Sequence, residues 1–259
     1  MHRIRSRRAG LARAGLALAG LGALALAGCQ SGSGTAAPAS TVSPASAPAS
    51  ASPGLSVPGT HRSSATYQVS SPVSTVVVVS HVGDVTVTGA AGPGTSVLQE
   101  ADYSKTPPVT TRTVSGTTLT ITYSCATQLV CGVAYVVRVP RDVAVQATAG
   151  AGSVQLSGLA GKVTAQTKAG VITASGLTSS VVSLTTDVGG INAAFTSPPG
   201  TLRAVARVGA ISLSVPGGAS YQVTAEAHVG KATVSVPRSA SAGHSISATT
   251  DVGAIRIGT

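Results

Sequence analysis

The chain has 259 residues, a formal net charge of +10, 43% apolar residues, 31 glycines, no tryptophan and a single phenylalanine. Five of its seventeen basic residues lie within the first thirteen positions, so the remainder carries an excess of only +5, spread without clusters. Lacking a basic patch and aromatic stacking platforms, the sequence excludes nucleic acid as the expected partner.

The N-terminus opens with Arg3, Arg5, Arg7, Arg8 and Arg13, followed by an apolar run from about Leu16 to Ala27. That run is shorter than the ~20 residues of a membrane span, so residues 1–28 read as a cleavable export signal. Its last four residues, Leu26-Ala27-Gly28-Cys29, resemble the bacterial lipobox. The resemblance implies lipid attachment at Cys29 and a protein held on the extracytoplasmic face of the cell membrane. Several acyl chains make such an anchor stable where one would not. The Ala, Gly and Arg usage fits a high-GC bacterium.

Residues 30–60 are nearly all Ser, Ala, Pro, Gly and Thr. Such a segment buries too little apolar surface to offset the entropy of ordering it. It reads as a tether of ~31 residues, spanning about 30 Å root-mean-square as a flexible coil.

From residue 61 onward Val, Thr, Ser, Ala and Gly alternate at period two, which is the pattern of half-buried strands. Residues 61–140 form an opening β block with the runs "STVVVVS", "DVTVTG", "TLTITYS" and "VAYVVRVP". Cys125 and Cys131 bracket "ATQLV" between the last two of these, so a bond between them would staple a hairpin loop. With Cys29 given to lipid, that pairing leaves no odd cysteine in an exported chain; two free buried thiols are the alternative. Closing so short a loop stabilises by roughly 2 kcal/mol.

Residues 141–259 repeat. The turn glycines Gly152, Gly170, Gly189, Gly209, Gly230 and Gly253 are spaced by 18, 19, 20, 21 and 23 residues, and Gly83 opens the same motif in the first block. Each step holds one alternating run before the turn and one after it, as in "VSLTTDVGGINAAF". Fixed strand-turn-strand periods of about 20 are the mark of stacked repeats. The expected fold is all-β: a β-solenoid of about six two-stranded coils, each stacked on the one before it in the chain, continuous with the opening block. Inward positions are small: Val163, Ala165, Ile172, Ala174, Leu184, Ile191, Ala204, Ile211, Leu213, Val223, Val234, Ala248 and Ile255. A thin interior of this kind draws its stability from many rungs that each touch only their neighbours.

The segment "CGVAYVVRVPRDVAVQATAGAGSVQLSGLAGKVTAQTKAGVITASGL", a V-P element followed by V-x-G-x-[VI] rungs, resembles the bacterial "putative adhesin" family over about residues 65–259. The resemblance implies a solenoid-like envelope domain and brings no catalytic or binding residues with it. This chain replaces the usual polar residue before the turn glycine with Val or Ala.

Two positions before the turn glycines stand Lys168, Asp187, Arg207, His228 and Asp251, with Gly150 at the first coil and His81 in the opening block. Stacked at ~4.8 Å, these side chains form a line along one edge. It reads either as a solvated ladder of ion pairs worth about 0.2 to 1 kcal/mol each or as an edge that binds a glycan or an envelope protein.

No G-x-S-x-G elbow or phosphate loop is present, and the histidines occur singly. The expectation is therefore a monomeric, non-enzymatic display module with no cofactor and no metal. A carbohydrate-active enzyme of the β-helix type, assembled from Asp187, Arg207 and Asp251, is one alternative. An accessory of an envelope-stress sensor is another.

Overall fold

The structure is a computed structural model that describes residues 60–259. The export signal, the lipobox cysteine Cys29 and the tether lie outside the described residues. Those residues hold nineteen strands and no helix. The opening block contains β1 (His61–Val69), β2 (Thr75–Val82), β3 (Val85–Ala90), β4 (Thr95–Tyr103), β5 (Val109–Ser115), β6 (Thr118–Ser124) and β7 (Cys131–Pro140). The repeats supply β8 (Ala144–Ala151), β9 (Val154–Ser157), β10 (Val163–Ala169), β11 (Ile172–Leu177), β12 (Val181–Val188) and β13 (Ile191–Phe195). They end with β14 (Thr201–Val208), β15 (Ile211–Ser214), β16 (Gln222–Val229), β17 (Ala232–Val234), β18 (Ser245–Val252) and β19 (Ile255–Gly258).

These strands make two large mixed sheets. One runs β1-β4-β7-β3-β9-β11-β13-β15-β19-β17, the other β16-β18-β14-β12-β10-β8-β2-β6-β5. Pairing is parallel through most of both sheets and antiparallel where β1, β4 and β5 join at one end. The parallel part follows from the repeat. Each chain segment crosses from the nine-stranded sheet to the ten-stranded sheet at its turn, so equivalent strands arrive pointing the same way.

The pairing is in register by repeat position. Val163 faces Val145 and Val182, while Ile172 faces Val154 and Ile191. Like residues therefore stack into columns between the sheets. One such column is Val85, Val154, Ile172, Ile191, Ile211 and Ile255, all at most 1% exposed. Eleven of the thirteen inward positions read from the sequence are buried, and Val223 and Val234 are partly buried against the same core. At ~25 cal/mol per Å², this long and thin core gains from the number of its rungs rather than from large side chains.

The stacking order differs from the chain order at both ends. β2 and β3 do not begin the stack: β6 and β7 lie outside them. At the far end β18 pairs with β14 on one side and β16 on the other, so the final repeat is inserted between its two predecessors. The expectation that each coil rests on the preceding one is corrected accordingly. Interior size explains the far-end swap. Ile246, Ile255 and Ile257 need cover on both sides and are at most 2% exposed, whereas the smaller Val223, Ala225 and Ala227 tolerate the half-covered end position.

Cys125 and Cys131 form a disulfide, with Cα atoms 6.2 Å apart. Its loop joins β6 to β7, so it stands where the other repeats carry a glycine turn. Nearby, Tyr135 is fully buried and its hydroxyl has no hydrogen-bond partner. Burial pushes this phenol far above its ordinary value, and the neighbouring Thr110 hydroxyl opposes that shift without reaching hydrogen-bonding geometry. A buried hydroxyl without a partner costs roughly 1 to 3 kcal/mol. Tyr135→Phe is therefore expected to raise stability by about 1 kcal/mol; a lower melting temperature for this variant would contradict the burial argument.

Candidate functional site

The seven turn glycines line up. Gly83 N–H donates to the carbonyl of Ala151, Gly152 to Ala169, Gly170 to Val188, Gly189 to Val208, Gly209 to Val252 and Gly253 to Val229. Each acceptor is the residue just before the next glycine, so one hydrogen-bonded ladder runs in the order 83, 152, 170, 189, 209, 253, 230. At Gly209 φ is +152°, and a Cβ added there would run into the carbonyl oxygen of Gly189. Only glycine permits both the turn and the close approach of neighbouring backbones.

Below this ladder lies a second one that sequence reasoning missed. The Thr167 hydroxyl donates to the carbonyl of Gly152 at 2.8 Å, Thr186 to Gly170 at 3.2 Å and Thr250 to Gly209 at 3.0 Å. All three threonines are at most 4% exposed. Each inward hydroxyl thus finds a partner one rung away, as a buried polar group must, and pins the turn on which the edge is built.

The outward line of charges is present, and the far-end swap reorders it. Ala206 faces Thr250 and Val208 faces Val252, which places Asp251 beside Arg207. His228 then lies beyond Asp251. Along the stack the sequence of charges is Lys168, Asp187, Arg207, Asp251, His228. Chain order would have set Arg207 next to His228; the structure interposes a carboxylate, so Lys168, Asp187, Arg207 and Asp251 alternate in sign on successive rungs. Arg207 Nη2 lies 3.4 Å from Asp187 Oδ1, and His228 Nδ1 lies 3.4 Å from Asp251 Oδ1. These side chains are between 41% and 67% exposed, so as internal ion pairs they contribute little, about 0.2 to 1 kcal/mol each.

Beside the charges runs a column of exposed valines. Val82, Ala151, Ala169, Val188, Val208, Val252 and Val229 occupy equivalent positions on successive rungs. Strand alternation alone would turn these residues inward, because Thr186 is buried and Asp187 is not. The glycine turn re-aims them, and Val188 is 56% exposed and Val229 63%. Among the described residues ten large apolar side chains are exposed, and seven of them lie on this edge: the five valines of the column, Val171 just past a turn, and Leu129. The signal was legible in the repeated Val-Gly pair, which places an apolar residue at a solvent-facing turn five times over.

Leu129 sits on the disulfide loop and is 95% exposed. With Val82, Asp84, Asp102, Val130 and Ala151 it lines a groove of about 530 Å³ at the start of the valine column. Tyr123 fixes the backbone there, since its hydroxyl donates to the carbonyl of Val82 and accepts from the Val82 N–H. His81 packs edge-on against the same ring at 5.5 Å. Among the described residues no group of three or more His, Cys, Asp or Glu is gathered to hold a metal ion.

No family model and no curated relative matches the chain. Among solved structures it is similar to a "putative cell adhesion protein" from Clostridium sporogenes, at 12% identity and a TM-score of 0.41, covering 76% of this chain and 99% of that one. It is also similar to a "putative adhesin" from Bacteroides fragilis, at 12% identity and a TM-score of 0.43, covering 76% of this chain and 97% of that one. A third, a "putative adhesin" from Parabacteroides distasonis, covers 76% of this chain and 97% of its own at 12% identity and a TM-score of 0.33. At such scores no ligand or partner of this chain follows from the likeness.

Proposed function

We propose that this chain is a lipid-anchored envelope protein whose stacked coils, a β-solenoid, display one turn edge for docking to the cell wall or to another envelope protein. The observation that carries the reading is the coincidence of two ladders on one edge, an alternating line of charges and a line of exposed valines. Exposed apolar side chains gathered in one place mark interaction sites on soluble surfaces. On the outer face of the ten-stranded sheet the outward positions are mostly small and polar, such as Thr173, Asn192, Ser212 and Ser214, with Arg256 the larger exception, and they gather no comparable line of exposed apolar side chains.

The arrangement supports display rather than turnover. Asp187 and Asp251 stand two strand spacings apart, about 10 Å, with Arg207 between them. Both carboxylates are exposed or half-exposed, with no enclosed cleft around them among the described residues.

Crosslinking in intact envelopes, read by mass spectrometry, tests the docking role. Crosslinks to a glycan or protein partner that disappear in Val188→Ser/Val208→Ser are expected, and unchanged crosslinks in that variant would remove the edge from consideration. Anchoring is tested separately: Cys29→Ala is expected to shift the protein out of the detergent phase, and unaltered partitioning would refute lipid attachment.

A further inference from the structure

We propose that the partner of this edge is a second copy of the chain, docked antiparallel across a two-fold axis, so that adhesion through it is homophilic. The inference rests on the reading of the edge as a docking surface and names what docks there.

The argument is one of charge order and symmetry. When two copies face each other about a two-fold axis that lies in the contact plane and crosses the ladders, each column meets its own counterpart in reverse order. Valines then meet valines and charges meet charges. An alternating ladder read against its own reversal is fully complementary whenever the axis falls between two rungs. With the axis between the Asp187 and Arg207 rungs, Asp187 of one copy faces Arg207 of the other, and Lys168 faces Asp251. The symmetry doubles this to four unlike pairs. Val188 meets Val208, and Ala169 meets Val252.

An axis parallel to the ladders would set like rungs against each other and gain none of this. Like charges directly opposite are destabilising, so the antiparallel arrangement is selected. The complementarity exists because the final repeat is inserted between its predecessors. In chain order Arg207 would be followed by His228, and the reversed ladder would set Lys168 against an imidazole instead of the Asp251 carboxylate.

Size fixes the strength. The six rungs that overlap about this axis extend about 24 Å at the strand spacing, and the edge is about 10 Å wide, the distance between packed sheets, giving about 240 Å² per copy. A stable complex takes about 800 Å² from each partner. A single contact of this kind is weak, and it becomes effective where many copies share a surface and the second contact is formed at high effective concentration.

The test uses full-length chains bearing two different affinity tags and expressed together. One variant carries an all-cationic ladder, Asp187→Lys with Asp251→Lys; the other an all-anionic ladder, Lys168→Glu with Arg207→Glu. The wild-type pair is expected to co-purify after brief crosslinking. Recovery should fall about tenfold or more for cationic with cationic and for anionic with anionic, the sign and order expected of several opposed like charges. The mixed pair should recover to the wild-type level, which also shows that both variants are folded. A mixed pair no better than the matched ones, or recovery indifferent to charge, overturns the inference. If recovery ignores charge while the same substitutions still abolish envelope crosslinks to other molecules, the edge docks but not to itself, so the two readings fail separately.

Discussion

Gly209→Ala is expected to cost about 3 to 5 kcal/mol, enough to place it among the most damaging single substitutions. Two penalties act together. The φ of +152° is one that an L side chain rarely adopts, a strain of order 1 to 3 kcal/mol. The new Cβ would also strike the carbonyl oxygen of Gly189, which is backbone and cannot rotate away. Relieving the clash means parting the Gly189 and Gly209 rungs, and that breaks the bond from the Gly189 N–H to the Val208 carbonyl and strains the one from the Ile191 N–H to Ala210. The control is Gly243→Ala, whose Cβ would meet nothing within 4 Å, and whose loss should stay within about 0.5 kcal/mol. Chemical denaturation of the two variants reads the difference. Equal losses would mean that the turn ladder does not hold the stack together.

How much of this was legible beforehand follows from what repeats and what does not. The glycine period, the inward alternation of Val163, Ala165, Leu184 and Ile191, and the outward charges all recur at fixed intervals, so local pattern was enough to place them. The order of rungs is a different kind of fact. β16 and β18 carry the same strand-turn signal, and nothing local distinguishes the penultimate position in the stack from the last. Two non-local cues did carry the answer. The interior residues of the last repeat, Ile246, Ile255 and Ile257, are larger than those of the one before it, and only the observed order sets the Asp251 carboxylate directly beside Arg207.

The same limit hid the other end. The turn between β6 and β7 is a disulfide loop instead of a glycine turn, so this pair gave no repeat signal even though it stacks on β2 and β3 as a rung. The antiparallel additions β1, β4 and β5 likewise follow no period. The valine column was visible as a sequence feature, the Val-Gly pair, yet its exposure depends on a turn conformation that alternation does not report. The inward threonines Thr167, Thr186 and Thr250 are a comparable case, because a polar residue at a core position signals a hydrogen-bond partner without saying where it is.

Ile255→Ala provides the decisive measure of the inserted repeat. If stacking followed the chain, β19 would be the last rung, and truncating a side chain at an open end would cost about 1 kcal/mol. In the structure Ile255 is fully buried between Ile211 on one side and Ala232 on the other. Removing a buried isoleucine to alanine takes 2 to 5 kcal/mol, because the cavity closes only partially. A loss of about 4 kcal/mol is therefore expected, close to that of Ile211→Ala within the stack. Val234→Ala, on the outermost rung and only partly buried, should cost about 1 kcal/mol. Hydrogen exchange extends the contrast. Deleting residues 245–259 should strip protection from β14 as well as β16, since the inserted strand pairs with both. A ranking in which Val234→Ala is the costlier substitution would restore chain order to the stack, and with it Arg207 beside His228, removing the alternation on which self-docking depends.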